Sequence, residues 1–134
     1  MKKNTLAILT GTALALGGTG CASTSHYTFL PSEKVIVEKV RFRNRFRIEV
    51  AGDLYIPKNI DRSRKHAAVI VGHPFGGVKE QTSGLYAQKL AERGYVTLAF
   101  DASHYGESGG EPRYIESPET RVEDFSAAAD FLSN

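Results

Sequence analysis

Hydrophobic residues occupy even positions through one stretch of the chain: Val40, Phe42, Phe46, Ile48, Val50, Leu54 and Ile56. Period-two alternation marks a half-buried strand. Asn44, a residue suited to turns, interrupts it. The pattern therefore predicts two antiparallel strands, Val35–Phe42 and Phe46–Ile56, ended by Pro57. Two later runs, Ala67–Val71 and Val96–Phe100, are apolar throughout. Such runs suit strands covered on both faces, as in parallel sheets. Between them Leu85, Tyr86, Leu90 and Ala91 recur at helical spacing; Thr82 or Ser83 offers a cap and Gly94 a stop. A last helix opens at Ser117-Pro118-Glu119, which supplies a cap, a first-turn proline and an acid at the positive end of the dipole. Val122, Phe125, Ala129 and Leu132 form its apolar stripe. Strand, glycine loop, helix, strand is a βαβ unit whose working loop lies at the carboxyl end of its first strand.

Length and composition narrow the function. The 134 residues hold one domain at most, with the 41% hydrophobic and 24% charged content of a soluble globular protein. The formal net charge is +2, and without Lys2 and Lys3 the body carries 15 basic and 15 acidic residues. A neutral body argues against nucleic-acid binding by phosphate neutralisation. Lys39, Arg41, Arg43, Arg45 and Arg47 do form a basic stripe on odd positions, and a solvated outer face that blunts an edge strand accounts for it. The single cysteine, Cys21, permits no internal disulfide and no cysteine-based metal site. His26, His66, His73 and His104 show no metal spacing, so no metal and no cofactor is expected.

The N-terminus reads as an export leader. Met1-Lys2-Lys3 is basic, Leu6–Leu16 is moderately apolar, and small residues Gly17–Gly20 lead to Cys21. Cys21 resembles a bacterial lipoprotein cleavage site, with Gly18 where that pattern prefers a leucine-like residue. Lipidation there would anchor the protein through acyl chains and not through a spanning helix. The expected organisation is a leader at 1–21, a tether at 22–34 and a domain at 35–134, exported and lipid-anchored, or else periplasmic or secreted.

The chemistry-bearing stretch is His73-Pro74-Phe75-Gly76-Gly77. Gly76 and Gly77 let the backbone approach a ligand or expose its N–H groups; a strand-ending turn with a satisfied histidine is the plainer reading. Taken with Gln81-Thr82-Ser83-Gly84-Leu85-Tyr86-Ala87 and Phe100-Asp101-Ala102-Ser103-His104-Tyr105-Gly106-Glu107-Ser108-Gly109-Gly110, it resembles the α/β-hydrolase fold. The nearest likeness is to dienelactone-hydrolase-like serine hydrolases, from about Val35 onward. The resemblance implies an α/β architecture, the N-terminal half of an α/β-hydrolase sheet: an antiparallel hairpin, a parallel βαβ unit and a further helix. It implies that the Phe75 N–H is one oxyanion-hole donor, with His73, Gly76 and Gly77 supporting the loop. Pro74, without an N–H, is excluded as donor. Asp101 is expected to fix the following loop, since the triad acid of that fold comes later in the chain. Ser103 and Ser108 are read as loop residues and not nucleophiles. The nucleophile elbow, acid and catalytic histidine are expected beyond residue 134, which makes the chain a truncated, inactive portion of an exported ester or acyl hydrolase. A second expectation is a small lipoprotein that binds a partner, including the missing C-terminal half, through an open sheet edge.

Overall fold

The computed structural model describes residues 26–134; the leader and Cys21 lie outside the described residues. Six elements follow in order: β1 (Val35–Arg43), β2 (Glu49–Pro57), β3 (Ala68–Gly72), α1 (Thr82–Ala91), β4 (Val96–Phe100) and α2 (Pro118–Ser133). The strands form one sheet in the order β1-β2-β4-β3. β1 and β2 pair antiparallel, as do β2 and β4, whereas β3 and β4 run parallel. The α/β architecture is therefore an antiparallel hairpin joined to a parallel βαβ unit, with a helix on each face.

Alternation along the central strands divides the core in two. Tyr55 and Ala99 face α1 and pack with Val35, Ala87 and Ala91. Val50, Leu98 and Phe100 face the other way and pack on Ala128 of α2. Each of these side chains is buried, and a large one contributes about 1.5–3 kcal/mol on leaving water. On the α2 side the Phe100 ring meets Phe125 edge-on at 5.1 Å, and Phe42 stacks on Phe131 at 5.3 Å.

Several expectations change in detail. β2 begins at Glu49, not Phe46, because 44–47 is a turn. Arg47 N–H donates to the Asn44 carbonyl, Arg47 has φ 63°, and the Asn44 side chain accepts from Ile48 N–H. Phe46 is consequently 43% exposed despite its even position. α1 is entered from Gln81, and neither Thr82 nor Ser83 caps it. Its buried face is Ser83, Gly84, Ala87, Gln88 and Ala91, while Leu85 and Tyr86 are exposed. The reason is close approach: a methyl at Gly84 would collide with the Lys79 carbonyl and lie 2.8 Å from the Tyr55 hydroxyl. α2 is rotated by one residue from the expected stripe. It buries Asp124, Ala127 and Ala128 and leaves Val122 exposed. The basic stripe is exposed, and Arg41 and Arg45 are paired with Glu49 and Glu123.

Residues 27–32 are not a loose tether. The Tyr27 hydroxyl donates to Asp53 (2.7 Å) and Thr28 N–H donates to the Glu80 carbonyl (3.0 Å). Phe29 packs against the α1-side core. Gln88 accepts from Ser32 N–H and donates to the Leu30 carbonyl. A segment read as polar thus completes the α1 face of the sheet.

Asp124 explains the rotation of α2. Its buried carboxylate accepts from Asn44 Nδ2 (2.8 Å), Ser103 N–H (2.8 Å) and Ser103 Oγ (2.7 Å). It joins the β1–β2 turn, the loop after β4 and α2. Asp124→Ala would orphan these donors, and the expected loss is about 2–4 kcal/mol of stability, against under about 1 kcal/mol for Val122→Ala. Urea unfolding of the two variants side by side checks this.

Candidate functional site

β3 ends at Gly72, and the chain turns at once. Gly77 N–H donates to the Pro74 carbonyl (3.0 Å), and Gly76 takes φ 71°, a left-handed value that suits glycine. Phe75 stands at the tip of this turn with its side chain 78% exposed. Its N–H lies outside helix and strand and donates no hydrogen bond among the described residues. The turn sits at the carboxyl end of a strand parallel to its neighbour, on the rim where ligands bind in open α/β sheets.

His73 ties the turn to the neighbouring strand. Its Nε2 accepts from Ala102 N–H (2.9 Å) just past β4, and its Nδ1 lies 2.8 Å from the Pro74 carbonyl. An acceptor at one nitrogen and a carbonyl at the other require the neutral ring with the proton on Nδ1. Burial holds its pKa below the ordinary 6.5, the charge of Arg121 adding to the effect. Arg121 reaches in from α2: one Nη donates to the His73 carbonyl (3.0 Å), while Nε and the other Nη grip Glu116 (2.8 and 2.7 Å). The hydrogen bonds from Arg121 hold Glu116 below its ordinary value. Gly72, His73, Phe75, Glu116, Arg121 and Phe125 line an open cavity of about 350 Å³ beside the turn.

The other end of the loop is pinned by Lys79, a residue the sequence pattern did not single out. Its side chain is fully buried, with Nζ 2.8 Å from Asp101, 2.6 Å from Glu80 and 3.0 Å from Glu107. Burial works against the ammonium, but these partners outweigh it and hold the group above its ordinary value. The hydrogen bond from Lys79 in turn holds Glu107 low. The oxygens of Glu80, Asp101 and Glu107 lie close enough to hold a metal ion. The lysine ammonium already bonds to all three. Asp101 is placed as a loop anchor: it also accepts from Lys79 N–H (2.8 Å) and Glu107 N–H (2.9 Å).

Gly106-Glu107-Ser108-Gly109-Gly110 matches the formal Gly-x-Ser-x-Gly spacing of a nucleophile elbow. The structure gives Ser108 another task. Its buried hydroxyl donates to the Asp101 carbonyl (2.7 Å) and accepts from Ala51 N–H (2.8 Å). It lies in the loop after β4 and not in a strand-to-helix turn. The Ser103 hydroxyl is likewise committed to Asp124. Arg113 closes the loop by donating to the Gly106 carbonyl (2.8 Å) and to that of Ser108.

No protein-family model matches the chain. It is 59% identical over 106 residues to the uncharacterized protein PA2218 of Pseudomonas aeruginosa, spanning 79% of this chain and 28% of that protein. Identity to the uncharacterized protein YcjY of Escherichia coli is 52% over 97 residues, 71% of this chain and 32% of the relative. The thiohydrolase aneE of Aspergillus aculeatus is 31% identical over 101 residues, 75% of this chain and 30% of the relative. The crystal structure of PA2218 matches with a TM-score of 0.77 and 57% identity, over 85% of this chain and 35% of that one. The α/β hydrolase GrgF from Penicillium sp. sh18 matches with a TM-score of 0.65 at 22% identity, over 74% of this chain and 32% of that one. Sheet order, rim loop and these likenesses define part of an α/β-hydrolase fold. The chain spans about a third of the length of the relatives it matches.

The neutral His73 carries a pH dependence. Its folded pKa lies below 6.5, so the unfolded chain binds a proton first as pH falls. Its contribution is complete above pH 6.5 and is lost as pH falls through the folded value. The melting temperature is expected to decline from pH 6.5 downward, with a shallower slope in His73→Asn. Thermal unfolding at half-unit pH steps down to pH 5, above the range of the low-lying carboxylates, measures it.

Proposed function

We propose that this chain is the N-terminal part of an α/β-hydrolase acting on ester or acyl substrates through a tetrahedral oxyanion. The Phe75 N–H is one donor of its oxyanion hole. The observation that carries the reading is a free backbone amide at the tip of a glycine turn, on the carboxyl rim of a parallel strand pair. Acyl transfer needs donors aimed where negative charge develops, and backbone amides are preorganised for it. His73 takes no proton in this scheme, since both of its ring nitrogens are engaged. It fixes the turn, while Gly76 and Gly77 give the turn its shape. In this fold the second donor follows the nucleophile, and the acid and histidine come after it. The Ser103 and Ser108 hydroxyls are committed to structure, and neither is the nucleophile in this reading. Dienelactone-hydrolase-like enzymes remain the proposed subgroup, on the strength of the His73–Gly77 and Phe100–Gly110 motifs.

The test is reconstitution. The chain is co-expressed with the portion of PA2218 that lies outside the match, and hydrolysis of small aryl esters is measured. Neither piece alone is expected to turn over above background, whereas the assembly is. Phe75→Pro, which removes the proposed donor together with the exposed ring, is expected to lower kcat by about 10²-fold or more relative to Phe75→Ala, which loses the ring but keeps the N–H. An active assembly indifferent to Phe75→Pro rules out the donor assignment.

A second reading follows from β3, which among the described residues has a strand neighbour on one side only. Such an edge accepts an added strand, and a partner protein seated there would make the chain a binding module.

We further propose that the leader directs export and that Cys21 carries a lipid anchor, supported by the basic start, the apolar stretch and the small residues before the cysteine. Detergent phase partitioning of cell extracts checks this: the wild type is expected in the detergent phase and Cys21→Ser in the aqueous phase.

A further inference from the structure

The carboxylate of Asp101 is completely buried at the end of β4 and takes three donors. Lys79 N–H reaches Oδ1 at 2.8 Å; Lys79 Nζ and Glu107 N–H reach Oδ2 at 2.8 and 2.9 Å. Two of the three belong to one residue, which follows the Phe75 turn by two positions past Gly77. The loop is thus held by backbone and side chain together. The surroundings are shaped to admit the pair. Gly106, at φ 48°, lies so near that a methyl group there would collide with the Asp101 carboxylate. A methyl group at Gly84 would likewise collide with the Lys79 carbonyl.

Such a pair is a poor source of stability. Desolvating two charges offsets most of their attraction, and apolar residues of similar volume often serve as well. What apolar residues do not supply is direction. We propose that Lys79 and Asp101 are positioning residues that set where the Phe75 N–H points, a role that rests on the reading of that amide as an oxyanion donor. Neither contacts the substrate. Asp101 belongs to the β4 end and Lys79 to the loop, so the pair references the turn to the sheet from one side. His73, bonded to Ala102 N–H, references it from the other.

The test separates order of the turn from catalysis. In the ¹⁵N-labelled full chain, Lys79→Met/Asp101→Leu removes both charges of the pair together, and with them the acceptor of the Lys79 and Glu107 N–H groups and the cation beside Glu80 and Glu107. Tyr55 and Leu98 amides are expected to exchange within about threefold of wild type, while Gly77 exchanges about tenfold or more faster and the Phe75 and Gly76 resonances shift or broaden. Unchanged Phe75–Gly77 signals over an intact core overturn the proposal. Should the double variant lose its core, Asp101→Asn decides. It keeps the shape and an acceptor, and an intermediate loosening of the same three amides is expected; an unaltered turn there overturns the proposal equally. In the reconstituted enzyme, the double variant is expected to lower kcat about tenfold or more while KM stays within about twofold. A turn that loosens while kcat holds leaves the pin in place and removes instead the assignment of Phe75 as donor.

Discussion

An ammonium group buried among three carboxylates governs the rim of this sheet. Lys79 is sealed from solvent, and its charge is stable there only because Asp101, Glu80 and Glu107 surround it. That requirement propagates. Asp101 must stand at the end of β4, so β4 must pair in register with β3, whose last residue opens the glycine turn. Glu107 must return toward the loop, so residues 101–108 curl around the carboxylate, and only a glycine fits at 106. Glu80 must sit beside α1, where its carbonyl also receives the Thr28 amide of the N-terminal segment. One cation thereby fixes the spacing of three stretches far apart in sequence.

A second polar anchor, Asp124, does similar work on the opposite face. Among the described residues it has no cation partner; a side-chain amide, a hydroxyl and a backbone amide satisfy it. Arg121, one turn earlier on α2, adds a bond to the His73 carbonyl. The helix is therefore referenced to the rim by polar contacts and to the core by Ala128 and Phe131. The apolar core sets which face of each element is inward, and the buried polar groups set how far each is turned.

The architecture was legible in the sequence because period and turn chemistry carried it. Alternation at 40–56 and the apolar runs before Gly72 and Asp101 mark four strands. Ser117-Pro118-Glu119 marks the start of α2, and Ser117 does accept from Thr120 N–H. The faces of the helices were less legible. Hydrophobicity favours Leu85, Tyr86 and Val122, yet close packing needs Gly84 and Ala87, and hydrogen bonding needs Asp124. A polar residue inside an apolar stripe, at 124, and a lysine two residues past a glycine pair, at 79, were the signals present. Neither stands out without knowing which loops meet. The segment 27–32 is hard to read for the same reason: it carries no helix or strand period, yet Tyr27 bonds to Asp53 and Phe29 packs on the core. The Gly-x-Ser-x-Gly spacing at 106–110 carries the opposite lesson, since a sequence match there conceals a hydroxyl committed to backbone.

The strand order also has a kinetic side. β2 lies between β1 and β4, but its second neighbour is more than 40 residues downstream in the register Gly52 with Phe100. A β1–β2 hairpin formed alone leaves Val50 and Tyr55 uncovered until β4 and the helices pack on it. During that interval the hairpin is a sticky, half-solvated ribbon. Non-local pairing of this kind slows collapse to the native state, so wherever the chain folds, the interval before its middle strand is covered is the one most exposed to aggregation.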